Sequence, residues 1–261
     1  RALDDLDTAL GLSPSDARWL EQRALILARQ HHLDAAEADL DAAVACAEAA
    51  AEKRADVAAG LESAVLDAGD AAHVLAPGSA QVAGATSRAL HKRAAVRFLQ
   101  GRYEESAEDL ALVLAEDRLA QLERERRPAA HFLLGLCHAR LGHHEAAVTS
   151  FNEAVALRPA VAAFRHERAK ALQLCREHAA AVADFTSVLQ RQPGNARARF
   201  RRGFAFKALG EFDRAAEDFE GAKLLDPHAP ELVLNYARIH AIDVIELCAP
   251  GDEPDTPPLI F

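Results

Sequence analysis

The chain has 261 residues; half of them are hydrophobic, but only 5% are Phe, Trp or Tyr. Much of the apolar content is alanine, the strongest helix former, which favours an all-helical protein with thin interfaces over one large aromatic core. The formal net charge of −10 opposes non-specific binding to phosphate backbones.

The cysteine pattern and the apolar runs indicate the cellular compartment, and the first residue indicates whether the chain is a fragment. Cys46, Cys137, Cys175 and Cys248 lie far apart and form no C-x-x-C pair, which indicates reduced thiols in an intracellular, cytoplasmic protein. No run approaches the roughly 18 apolar residues of a membrane span, so no membrane association is expected. Because the chain begins at Arg1 and contains no methionine, we interpret it as an internal piece of a longer protein.

A period of 34 residues organises the second half of the chain. Small, aromatic and helix-ending residues recur at this step in four columns: Gly135, Ala169 and Gly203; Ala147, Ala181 and Ala215; Phe151, Phe185 and Phe219; Pro159, Pro193 and Pro227. Each period predicts two helices, with proline after the second because it cannot continue a helix. In the last period we expect helices over 196–209 and 212–225, close together at Gly203 and Ala215, with Phe212 and Phe219 between them.

The same register divides the chain in order. Residues 1–16 match the second helix of a truncated unit, and 17–50 match a complete unit. Residues 51–86 break the register and form an irregular or degenerate helical insert: either a degenerate repeat, or a long second helix followed by a linker. The later elements are a unit with an extended second helix at 87–127, units at 128–161, 162–195 and 196–229, a C-terminal capping helix at 230–248 and an extended, acidic, Pro-rich tail at 249–261.

This helix–turn–helix pattern resembles the tetratricopeptide repeat (TPR) family. The resemblance implies an all-α fold in which TPR units stack into a right-handed superhelical solenoid, with the first helices lining a concave groove. It also argues against a second interpretation of "RGFAF" at 202–206, which fits the start of an RNA-binding strand signature. The register places these residues inside a first helix, so we expect no strand there.

Catalysis and metal binding find no support in the sequence. Five histidines fall at turns between helices and match no zinc-site spacing: His31, His32, His143, His144 and His178. The chain has no G-x-S-x-G motif and no Gly-rich phosphate loop. We therefore expect a non-enzymatic protein with no catalytic residue, no cofactor and no metal.

Charge is segregated between first and second helices. Residues 87–102 carry five Lys and Arg and no acid, whereas 103–117 carry six acids and no base. By the TPR resemblance, ten first-helix residues face the groove: Arg88, His91, Lys92, His166, Lys170, Arg197, Phe200, Arg201, Phe204 and Lys207. We expect them to bind an acidic or amphipathic segment, with arginines pairing carboxylates and the phenylalanines contacting apolar side chains. In the open alternative, the bases only neutralise the acidic second helices.

The leading functional hypothesis is a TPR scaffold that binds protein: acidic segments, or neighbouring subunits of an assembly. The alternatives are a structural component of a ciliary or cytoskeletal complex, and a nucleic-acid-associated helical-repeat protein; nucleic acid is not expected, given the acidic total. Chaperone C-terminal tails are not expected either. Arg197 and Arg201 match the last pair of that motif, but the positions that need Lys and Asn hold Phe132, Leu136 and Glu167.

Overall fold

The computed structural model describes residues 2–66, 79–115 and 127–226. All regular structure in these ranges is α-helical, which confirms the all-α prediction there. The helices are α1 (Ala2–Leu12), α2 (Ala17–Arg29), α3 (Leu33–Leu66), α4 (Ser79–Gln100), α5 (Tyr103–Ala115), α6 (Arg127–Arg140), α7 (His144–Leu157), α8 (Ala162–Leu174), α9 (His178–Arg191), α10 (Ala196–Ala208) and α11 (Phe212–Leu225). The "RGFAF" stretch lies inside α10, so the RNA-binding strand is excluded.

The helices pack in sequence within two compact halves, residues 1–124 and 125–261. In the N-terminal half each helix packs on the next, and α2 also contacts α4. In the C-terminal half each helix again packs on the next, and the first helices α6, α8 and α10 contact one another in turn. Both halves therefore have the successive helix-pair packing of a solenoid.

The small-residue column lets paired helices approach, as predicted. A Cβ atom placed on Gly203 would lie 2.8 Å from the Phe219 ring, and one on Gly135 would lie 2.6 Å from the Phe151 ring. Side chains at these positions would displace the rings that fill the helix pair. The prediction that Phe212 also fills this space is wrong: its side chain is 67% exposed, because no described residue covers the start of α11.

Five turns between paired helices use the same left-handed backbone position. Glycine occupies three of them, Gly101, Gly142 and Gly210, with φ between 79° and 84°. His31 and Arg176 occupy the other two, with φ of 63° and 65°. Glycine adopts this region without the steric cost that a Cβ atom brings, which explains its recurrence in this column.

The break in register after residue 50 is a long helix. Residues 51–66 continue α3, a single helix of 34 residues. The next helix, α4, begins at Ser79. The two alternatives for 51–86 and the unit boundary at 87 stay predictions. The extension of the second helix in 116–126, the capping helix at 230–248 and the tail at 249–261 lie outside the described residues. No helix in the described ranges has the length and apolar character needed to cross a membrane.

Candidate functional site

An arginine on each of four first helices forms a bidentate salt bridge with a buried aspartate on the paired second helix. Its Nε and Nη2 atoms donate to the two carboxylate oxygens of an aspartate 16 residues later, over 2.6–3.0 Å. The pairs are Arg23–Asp39, Arg93–Asp109, Arg168–Asp184 and Arg202–Asp218. Forked pairing of this kind is strong and geometrically specific, so these arginines serve the fold.

The same arginines also reach the preceding helix pair. Their Nη1 atoms donate to side-chain oxygens of Asp7, Asp41, Asn152 and Thr186, over 2.6–3.1 Å. We call each set, one arginine with its aspartate and this further acceptor, an arginine clamp. In 128–161 the clamp positions hold Leu134 and Ser150. The clamps account for much of the charge segregation between first and second helices.

In the N-terminal half, the predicted groove residues are engaged within the fold. Lys92 Nζ lies 2.9 Å from a carboxylate oxygen of Glu21, and Arg88 Nε lies 3.7 Å from the same oxygen. Glu21 is a buried residue of the neighbouring first helix α2, whereas the open alternative placed the acids on second helices. His91 is buried. The cationic charge of Arg88 and Lys92 is thus directed at an internal carboxylate.

In the C-terminal half, the predicted groove residues of α8 are Lys170 and the neutral His166, and Glu167 lies beside them. Lys170 Nζ donates to Glu167, and the ring edge of His166 contacts Phe185, with 5.5 Å between ring centroids. Burial lowers the pKa of His166 to about 4, and the nearby positive charges of Lys170, Arg201 and Arg197 act in the same direction. His166 is therefore uncharged at neutral pH.

Arg201 on α10 differs from the clamp arginines. Its side chain is half-buried, and this burial lowers the pKa of the guanidinium, against the opposing effect of Glu167. Within the described ranges no carboxylate forms a salt bridge with the guanidinium, and Glu167 itself is hydrogen-bonded to Lys170. The backbone carbonyl of Arg201 accepts a hydrogen bond from Gln173 Nε2 at 2.8 Å. Arg201 thus presents a partly desolvated positive charge beside α8.

Two phenylalanines of α10 are exposed. The Phe200 and Phe204 side chains are 45% and 48% exposed, and their rings lie edge to face, 4.9 Å apart between centroids. Both rings also meet the Phe219 ring edge to face, at 5.5 and 5.2 Å. Lys207, further along the helix, is exposed. The helix α10 therefore combines an open apolar surface with a cationic one.

Two family models described as tetratricopeptide repeat match residues 128–161 and 167–231. These two segments of the chain are tetratricopeptide repeats. No curated protein sequence matches this TPR protein.

Solved structures share the fold of this TPR protein at low sequence identity. The crystal structure of YrrB, described as "a TPR protein with an unusual peptide-binding site", has a TM-score of 0.59 and 16% identity, over 86% of this chain and 93% of YrrB. A structure of MamA AMB-1 has a TM-score of 0.54 and 15% identity, over 84% and 97% of the two chains. MamA 41-end from Desulfovibrio magneticus RS-1 has 0.50 and 20%, over 62% and 93%. These likenesses show a TPR-like solenoid fold.

Sequence analysis did not identify the acidic residues that form ion pairs with the predicted groove bases of this TPR protein. Glu21 and Glu167 are first-helix residues that hold Lys92 and Lys170; at the sequence level only their place within first helices marks them. The arginine clamps carried a stronger signal, because an arginine precedes an aspartate by 16 residues in four units.

Among the described residues, no group of three or more His, Cys, Asp or Glu side chains is placed to hold a metal ion.

Proposed function

We propose that this TPR protein is a non-enzymatic scaffold whose C-terminal half binds an acidic segment of a partner protein at Arg197 and Arg201 on α10. Tetratricopeptide repeats act by protein interaction, which is the coarse function that the two family matches support. The finer assignment rests on the state of Arg201.

Arg201 carries the proposal because its charge is partly buried without a salt-bridged carboxylate in the described ranges. Removing a charge from water is costly unless a partner of opposite charge compensates. A carboxylate is suited to this place, since its two oxygens match the fork of the guanidinium. An aspartate or glutamate of the ligand would accept hydrogen bonds from the Arg201 guanidinium, as Asp218 does from the adjacent Arg202.

The surroundings favour an acidic ligand over a basic one. Lys170, Arg197 and Arg201 act electrostatically on His166, and Glu167 is the acid of the same cluster. Since His166 is uncharged at neutral pH and Lys170 is hydrogen-bonded to Glu167, a carboxylate of the ligand would meet the positive charge of Arg201. YrrB is described as having an unusual peptide-binding site, which supports a peptide ligand on this fold.

The other predicted site residues take different places in the proposal. Phe200, Phe204 and Lys207 lie on the same helix, and the prediction that the two rings contact apolar side chains of the ligand stays a prediction. Arg88 and Lys92 are paired with Glu21, so we do not extend the site to them. The assembly alternative, with its ciliary or cytoskeletal location, also stays a prediction.

The test is binding of fluorescent Asp/Glu-rich peptides, some carrying apolar residues, to the full chain by fluorescence anisotropy. The double variant Arg197→Glu, Arg201→Glu should weaken binding at least about tenfold, because charge-assisted hydrogen bonds each contribute roughly 1.5–3 kcal/mol. The matched control is Arg176→Glu, Lys223→Glu. It changes the net charge equally, at exposed positions of the same half.

Two outcomes would contradict the proposal. In the first, both variants stay helical and bind the peptides as the unchanged protein does. In the second, no peptide binds, but single-stranded RNA binds with a steep dependence on salt concentration, which would favour the nucleic-acid alternative.

A further inference from the structure

Two first helices carry a base at both the second and the sixth position of their repeat unit. In α4 these residues are Arg88 and Lys92, and in α10 they are Arg197 and Arg201. The preceding first helix packs against each of them, α2 on α4 and α8 on α10. Each half of the chain therefore presents the same pair of bases to a neighbouring first helix.

The fifth position of the preceding unit differs between the two halves. In α2 it is Glu21, a buried acid with a carboxylate oxygen 2.9 Å from Lys92 Nζ and 3.7 Å from Arg88 Nε. In α8 it is His166, which is uncharged at neutral pH because its pKa is about 4. The bases of α4 thus meet a carboxylate of the fold at this place, whereas those of α10 meet a neutral imidazole.

The groups that face His166 come from three helices. They are Glu167 and Lys170 of α8, Arg197 and Arg201 of α10, and the Phe185 ring of α9. The Glu167 carboxylate is already hydrogen-bonded to Lys170. The His166 Nδ1 atom is buried and makes no hydrogen bond to any described residue. This nitrogen therefore does not accept a hydrogen bond from the Arg201 guanidinium.

We infer that His166 is a specificity-determining residue of the proposed acidic-segment site: a carboxylate of the ligand takes, beside Arg201, the place that the Glu21 carboxylate takes beside Lys92. His166 has this role only if the proposed function holds. A neutral residue at the fifth position leaves the charge of α10 to a ligand, whereas an acid there neutralises the bases within the fold, as in α2. Because a partly buried guanidinium is costly without an opposite charge, the ligand supplies the carboxylate that the fold does not.

His166→Glu in the full chain tests this role, with binding of the Asp/Glu-rich peptides measured by fluorescence anisotropy. The added carboxylate should pair with Arg201 and weaken peptide binding at least about tenfold, because the charge-assisted hydrogen bond is then made inside the fold. His166→Gln, which removes the ring but adds no charge, should bind the peptides clearly more tightly than His166→Glu. The control Leu174→Glu adds the same charge at an exposed position of α8, and it should bind as the unchanged protein does.

The reciprocal variant is Glu21→Gln, made in the double variant in which both α10 arginines are glutamate. Removing the internal carboxylate should make Arg88 and Lys92 available, so peptide binding should return, now in the N-terminal half. The control Asp5→Asn in the same background removes the same charge at an exposed position and should restore no binding. Circular dichroism checks that each variant is helical.

The outcomes separate the role of His166 from the proposed function itself. If the unchanged protein binds no acidic peptide, the proposed function fails, and the role of His166 fails with it. If the unchanged protein binds and a helical His166→Glu variant binds equally well, only the role of His166 is overturned. The same holds if Glu21→Gln in the double variant is helical and gains no binding.

Discussion

At the scale of single residues, the turns show how one backbone position tolerates different side chains. Gly142 and Gly210 adopt positive φ without steric conflict, whereas Arg176 adopts φ 65° at the equivalent position. The left-handed region costs a residue with a Cβ atom roughly 1–2 kcal/mol. Because Arg176 is exposed, this cost is not offset by packing.

Arg176→Gly should therefore stabilise the protein. The relief of backbone strain is partly offset by the greater chain entropy of glycine, roughly 0.5–1 kcal/mol. We expect a net gain of about 0.5–1 kcal/mol, measured as a higher urea midpoint. The converse variant Gly142→Arg should lower the midpoint. A lower midpoint for Arg176→Gly would show that the arginine side chain contributes more than its strained backbone costs.

His166 illustrates a second effect of single residues, the coupling of burial to pH. Its pKa in the folded protein is about 4, against an ordinary value of 6.5. Between these values the unfolded chain binds a proton that the folded chain does not. Stability from this group is therefore complete above about pH 6.5 and is lost as the pH falls towards 4.

His166→Phe should flatten the decline of stability between pH 7 and pH 5. Burial also lowers the pKa values of His131 and His138, so part of the decline should remain. The measurement is the urea midpoint at the two pH values for both proteins. An equal decline in the two proteins would show that His166 does not titrate between the folded and unfolded states as described.

At the scale of helices, the arginine clamps explain how thin, alanine-rich interfaces hold together. Each clamp ties a first helix to its own second helix and to a side chain of the preceding pair, as Arg202 does with Asp218 and Thr186. The unit at 128–161 instead has Leu134 and Ser150 at the clamp positions, and the Ser150 hydroxyl donates to the Ala146 carbonyl. The same two positions of a helix pair thus hold either a clamp or the combination of Leu and Ser.

Arg202→Leu alone should destabilise the protein strongly, because it leaves the Asp218 carboxylate buried without its cation; such losses are about 3–5 kcal/mol. The double variant Arg202→Leu, Asp218→Ser reproduces the combination at 134 and 150 and should be clearly more stable than Arg202→Leu. Urea unfolding measures both. A double variant less stable than Arg202→Leu would show that the clamp cannot be exchanged for the apolar solution in this repeat.

At the scale of the whole molecule, the acidic total and the cationic site are compatible because most first-helix bases are used internally. Arg88 and Lys92 are directed at Glu21, and Lys170 at Glu167. Within the described ranges, the Arg201 guanidinium in the C-terminal half forms no salt bridge with a carboxylate. Surface ion pairs contribute little, so the clamps and the buried acids carry the structural role of these charges.

Residues 125–261 alone should bind the acidic peptides with the affinity of the full chain. All residues of the proposed site lie in this half, and repeat proteins are stabilised mainly by contacts between neighbouring repeats. Circular dichroism checks that the fragment is helical, and fluorescence anisotropy measures its affinity. A helical fragment that fails to bind, while the full chain binds, would place part of the site in residues 1–124.

The sequence alone determined the repeat, the helical class and most helix positions. The residues that define the period contact one another within a single unit, as Gly203 and Phe219 do. A local sequence pattern is therefore enough to predict the repeat. The predicted helices at 196–209 and 212–225 agree with α10 and α11 to within one residue. The TPR resemblance drawn from the same columns is confirmed by the family matches.

Only the tertiary structure determined which basic side chains form ion pairs with internal carboxylates. Lys92 meets Glu21 across 71 residues, a pairing that depends on how α2 packs against α4. Arg201 and Arg202 are adjacent and chemically identical, yet only Arg202 is clamped, because successive residues point about 100° apart around a helix. One guanidinium therefore faces the buried Asp218 of its own pair, and the other faces α8.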